Sequence, residues 1–158
     1  VDSTVTHKTT HRFIYTSQLI IARKFNWRFS FELLPTFTHR NFVKTYVNSG
    51  NGKTDENGFF TLGAAFRLKL TKRFAVVFDY FHPFSEYRTG NTNNPFFDPM
   101  AIGIEIETGG HVFHINVTNA AGINENNFLP YTTDDWFQGG FKLGFNISRV
   151  FTIVKPKG

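Results

Sequence analysis

The feature that most constrains this chain is a two-residue alternation near its end, from Trp136 to Phe151. Phe137, Gly139, Phe141, Leu143, Phe145 and Ile147 form one set; Gln138, Gly140, Lys142, Gly144, Asn146 and Ser148 form the other. A period of two puts the sets on opposite faces of a β-strand. At about 3.3 Å per residue the stretch reaches roughly 50 Å, far beyond an ordinary globular strand. An apolar slab about 25 Å tall fits its Phe-rich middle, and a bilayer is such a slab.

The pattern recurs upstream. From His11 to Lys24, Phe13, Tyr15, Leu19 and Ile21 oppose Thr16, Gln18 and Lys24, with Ile14 and Ile20 on the wetter face and Ser17 on the drier. After a turn at Phe25-Asn26, Trp27, Phe29, Phe31, Leu33 and Phe37 oppose Arg28, Ser30, Glu32, Thr36 and Thr38 up to Arg40. Pro35 predicts a bulge or local irregularity in that strand. A third strand, 58–70, carries Phe60, Leu62, Ala64, Phe66, Leu68 and Leu70 against Arg67 and Lys69. A fourth, 73–84, carries Phe74, Val76, Phe78 and Tyr80 against Ala75, Val77, Asp79 and Phe81. A fifth, 99–108, carries Met100, Ile102, Ile104 and Ile106 against Glu105 and Glu107. Gly109-Gly110 marks a tight hairpin. The sixth, 111–119, carries Phe113, Ile115 and Val117 against His114, Asn116 and Thr118.

The connections alternate short and long, with long loops at 41–57, 85–98 and 120–135. Outer-membrane barrels have this rhythm, with tight periplasmic turns and long extracellular loops. The reading is an all-β, transmembrane, antiparallel up-and-down β-barrel in the bacterial outer membrane. Composition agrees: the chain of 158 residues holds 21 Phe, more than a soluble core of this size needs. Its mean hydropathy of -0.24 is what alternating strands average to. No apolar run is long enough for a transmembrane helix. The net charge of +5 favours anionic lipid and lipopolysaccharide as partners, and its dispersed basic residues argue against nucleic acid. The chain has no Cys, hence neither disulfides nor thiolate metal sites.

Bacterial single-chain barrels have even strand numbers. Seven candidates, the first and last both descending to the periplasm, therefore predict that 1–158 is the C-terminal part of a larger barrel, or pairs with another chain. The alternatives are an eighth strand within 1–10 and a single complete domain. The opening VDSTVTHKTTHR lacks the basic-then-apolar pattern of a signal peptide, so the expectation is a mature chain or a piece of one.

Ten aromatic residues are predicted to face lipid: Trp27, Phe29, Phe31, Phe60, Phe66, Phe74, Phe78, Phe113, Phe141 and Phe145. The opposite face collects Arg28, Glu32, Arg67, Lys69, Asp79, Glu105, Glu107, His114 and Lys142. Mixed charges on neighbouring strands form either an ion-pair lattice filling the lumen or the polar wall of a channel. Glu105 and Glu107 share a face at a separation of roughly 6–7 Å, but no nucleophile stands beside them. His11 and His39 become cross-strand neighbours if their hairpin is centred on Phe25, with His82 at the same level; an interfacial role competes with metal binding there. No GxSxG, HExxH or P-loop motif occurs. No cofactor is expected, and no enzymatic activity.

The run GIEIETGGHVFHINVTNAAGINENNFLP followed by WFQGGFKLGFNISRVF resembles the C-terminal signature of an uncharacterised β-barrel family from Bacteroidota. LIIARKF, LLPTFTHRNFV and GAAFRLKLTKRF resemble that family's middle strands. The resemblance implies a membrane barrel of unknown function whose members are longer, with further strands before the equivalent of His11. The functional expectation is a non-catalytic structural or accessory subunit of an outer-membrane assembly, or a narrow porin-like channel. The alternatives are an outer-membrane enzyme acting on lipid or peptide, and a soluble lipid-binding barrel with its Phe faces turned inward.

Overall fold

The computed structural model describes residues 13–149. In order these form β1 (Ile14–Gln18), β2 (Ile21–Lys24), β3 (Phe29–Arg40), β4 (Gly58–Lys69), β5 (Phe74–Phe84), β6 (Met100–Thr108), β7 (His111–Thr118), α1 (Glu125–Tyr131) and β8 (Lys142–Arg149). His11, the polar segment 1–10 and the end of the closing strand beyond Arg149 lie outside the described residues. Neighbouring strands pair antiparallel in chain order, and β1 and β2 both pair with β3. The sheet curls into a half-barrel. Its two end strands run in the same direction, so they have no antiparallel pairing to offer each other.

Local chemistry sets the tight turns. Asn26 Oδ1 accepts from the backbone N–H groups of Arg28 and Phe29, both at 2.8 Å. Thr71 Oγ1 does the same for Arg73 and Phe74, so the first is an Asx-turn and the second an ST-turn. At the third, Gly109 and Gly110 take φ of 51° and 149°, values that favour glycine.

Pro35 acts on its neighbour rather than on its own strand. The β3–β4 register runs unbroken through the Pro35–Leu62 pair, so there is no bulge. Leu19 N–H donates to the Pro35 carbonyl at 3.0 Å, but Pro35 has no N–H to return. The first strand is consequently split at Leu19-Ile20 into β1 and β2, which keep one continuous register against β3.

The final strand is shorter than the alternation predicts. Trp136–Gln138 is a single 3-10 turn rather than a strand. Asp135 Oδ1 accepts from Phe137 N–H, and Gly139 follows at φ 80° in the left-handed region. Gly140 N–H then closes on the Asp135 carbonyl at 2.8 Å. Phe137 is therefore almost wholly exposed, and only the second half of the stretch joins the sheet.

Candidate functional site

Register settles which side chains share a face. Phe31, Phe66, Phe78 and Ile102 form one row across β3–β6, and Phe29, Leu68, Val76, Ile104, Ile115 and Phe145 form the next across β3–β8. Ring pairs join the strands: Phe37–Phe60 at 4.9 Å, Phe66–Phe78 at 5.3 Å and Phe113–Phe145 at 6.4 Å. These rows occupy the convex face, where Phe60, Phe74 and Phe145 are exposed. A soluble barrel would enclose them, which is the reverse of what is seen. On β4 the apolar row from Phe60 to Leu70 spans about 33 Å along the strand, hence about 23 Å of height at a barrel tilt near 45°. Trp27 lies in the turn before β3, with the Arg28 guanidinium 4.5 Å from its ring. Phe141 precedes β8 and stacks on Trp136 at 6.0 Å.

The concave face divides into two halves. Toward the tight turns it is charged. Arg67 on β4 reaches across β5 to pair with Glu105 on β6, over Ala75, whose small side chain leaves room for the crossing and is buried. Glu105 is shared with His114 Nδ1 at 3.5 Å, and Lys69 stands 4.0 Å from Glu107. A cavity of about 410 Å³ lies beside this lattice, lined by Lys24, Glu32, Arg67 and Glu105. Glu32 and Asp79 flank Ala65 in a single cross-strand row, and neither has an ion-pair partner among the described residues. The two carboxylates stand two strand spacings apart, roughly 10 Å, and repel each other more weakly than a directly opposed pair would. Asp79→Asn is accordingly expected to raise resistance to denaturant by about 0.2–0.5 kcal/mol, read as a shift in the urea midpoint of the folded protein.

Toward the long loops the same face turns apolar. Leu34, Phe59 and Phe81 form a core with Leu129 of α1, which is completely buried, and Phe128 packs against it. Phe128 meets Phe81 edge-on at 5.3 Å, and Asn126 bonds Thr16 on β1. Helix α1 thus sits inside the curl of the sheet. The alternation predicts a long loop over 120–135 and places Phe81 on the wetter face; α1 within that loop and the burial of Phe81 against it correct both.

Two buried arginines tie the loops over the helix. Arg40 Nη2 donates to Asp55 Oδ1 at 2.7 Å and Nη1 to Asp55 Oδ2 and Tyr131 Oη, each at 3.2 Å. Arg88 Nη1 donates to the Leu129 carbonyl, and its guanidinium lies between Phe59 and Phe96, 4.9 Å from each ring. Burial, with Arg40 close by, pushes the Arg88 pKa down to about 10, which leaves it cationic at neutral pH. Asn48 Nδ2 donates to the carbonyls of Tyr87 and Thr89, and Asn119 Nδ2 to those of Asp98 and Asp134. The three long loops form one folded cap.

Three predicted positions fall elsewhere. Arg28 belongs to the turn beneath β3 rather than to the lattice. Lys142 bonds Asp134 of the cap. His39 stands opposite Tyr15, because the hairpin turns around Asn26-Trp27 and not Phe25. A level shared with His82 is also excluded: His39 pairs with Gly58, while His82 pairs with Leu62. His82 Nδ1 lies 2.8 Å from Asp98, which also accepts from Tyr80 Oη. No group of three or more His, Asp or Glu suited to a metal occurs among the described residues.

An antiparallel sheet curled with aromatic rows outside and ion pairs inside is the wall of a membrane-bound β-barrel. The chain belongs to the membrane bound beta barrel domain family (DUF5777), whose model matches residues 1–151. No curated protein and no solved structure matches it.

Proposed function

We propose that the chain is a non-catalytic structural barrel of the bacterial outer membrane, its long loops facing outward and its lumen stoppered by its own helix. The observation that carries this reading is α1 packed on the concave face, with Leu129 buried among Leu34, Phe59 and Phe81. A channel needs a continuous polar path; here the charged half of the face leads into an apolar core. Outward orientation of the loops follows the asymmetry of outer-membrane barrels. Lipid and lipopolysaccharide are the partners expected around the aromatic rows, with further outer-membrane subunits as neighbours. The non-catalytic reading rests on how the acids are used. Glu105 is held by Arg67 and His114, and the hydroxyl bonded to the His82–Asp98 pair is the Tyr80 phenol, with no Ser or Thr hydroxyl bonded there among the described residues.

Single-channel recording on the native full-length protein in planar bilayers tests this. The wild-type protein is expected to show no steady conductance, and replacing 125–131 by a Gly-Ser linker is expected to produce discrete opening steps. Steady current through the wild-type protein would instead establish the porin-like reading.

A further inference from the structure

The cap carries large rings that the membrane does not explain. Phe42, Tyr46 and Tyr131 lie beyond the strands, yet remain 50%, 51% and 54% exposed. With Phe96 they surround a cavity of about 440 Å³, a size and lining typical of small-molecule sites. Its polar groups are few: the Asp55 carboxylate, the Asn94 amide, the Thr133 hydroxyl and the Lys44 ammonium.

The walls are held from behind. Arg40 fixes the Asp55 carboxylate with two hydrogen bonds and the Tyr131 ring through its hydroxyl. Arg88 lies against Phe96, which also packs on Tyr87 at 5.7 Å. Lys44 sits 5.8 Å from the Tyr46 ring. Such anchoring lowers the ordering cost of binding. Arg40 already neutralises the Asp55 carboxylate, so the one uncompensated charge in the lining is the Lys44 ammonium, which is engaged by the Tyr46 ring. Flat apolar rings beside a few hydrogen-bonding groups and a single lysine match a ligand with alternating apolar C–H faces and a hydroxyl perimeter.

We infer that this cap pocket is a binding site for a neutral saccharide, whose pyranose rings stack on Phe42, Tyr46 and Tyr131 while its hydroxyls reach Asp55 and Asn94. The inference rests on the outward placement of the cap only for access in the cell. It does not depend on whether the lumen conducts.

Calorimetric titration of the native protein tests it. Amine-oxide micelles are required, because sugar-headed detergents would occupy the site. Maltohexaose, laminarihexaose and xylohexaose serve as probes, with inorganic phosphate and tetramethylammonium as charged comparators. At least one hexaose is expected to bind with a Kd tighter than about 1 mM. Tyr46→Ala and Phe42→Ala, both exposed and outside the core, are expected to weaken it at least tenfold, whereas Ile123→Ala in the α1 loop leaves it unchanged. The assignment is overturned if no hexaose binds, if only a charged comparator binds, or if hexaose binding survives both ring substitutions. Because no conductance is read, failure here is separable from failure of the stoppered-barrel reading.

Discussion

Arg40→Ala is expected to cost the cap about 3–5 kcal/mol, the usual result of breaking a buried ion pair on one side. Arg40 is 1% exposed and its Asp55 partner 10%, so truncation leaves a carboxylate in poor contact with water. The same change releases Tyr131 at the end of α1 and the Glu56 carbonyl in the first long loop. Protease sites at 41–57 and 120–135 should therefore open, while the strands, whose ladder hydrogen bonds do not involve this side chain, stay resistant. Asp55→Ala alone should act in the same direction. The double variant should lose less than the sum of the two, because neither charge is then stranded. A cap that resists protease in Arg40→Ala as it does in the wild type would show that the anchor lies elsewhere.

Gly63→Val is expected to destabilise the packing of α1 by roughly 3 kcal/mol, at the upper end for an overfilled core. Gly63 is not in a left-handed conformation; it is present for space. A Cβ there would stand 2.5 and 2.6 Å from two ring atoms of Phe81 and 3.0 Å from Leu34 Cβ. Phe128 lies edge-on to the ring and Leu129 belongs to the same core, so the ring can yield only toward the cavity beside Ala65 and Asn116. Gly63→Ala should show the same sign with a smaller size. The measurement is hydrogen exchange at α1 amides: protection should fall for Gly63→Val. Unchanged exchange would mean that the helix does not depend on this contact.

Much of the sheet was legible because membrane strands obey a simple rule. Each of β3 to β7 begins and ends within two residues of its predicted bounds, since alternation, Asn26, Thr71 and the Gly109-Gly110 pair are all local signals. The cap was not legible for an equally physical reason. Helix α1 is seven residues long, contains Pro130 and has no side-chain cap at Asn124, so neither period nor propensity marks it. Leu34, Phe59 and Phe81 did leave a trace: each interrupts a polar face, and all three do so toward the same end of the sheet. Arg40 and Arg88 left none, because a basic residue at the edge of a loop reads as solvated until its partners are known.

The closing stretch divides the same way. Its alternation determined by itself that Leu143, Phe145 and Ile147 share one face of the strand Lys142–Arg149, because side-chain direction in a strand depends only on parity. Only the tertiary structure decided that Trp136–Gln138 turns away, since that rests on Asp135 capping the turn and Gly139 adopting a left-handed backbone. It likewise decided that the inside of the curl is filled by a helix, because burial of Leu129 is a property of three distant strands and not of its own neighbours in the chain.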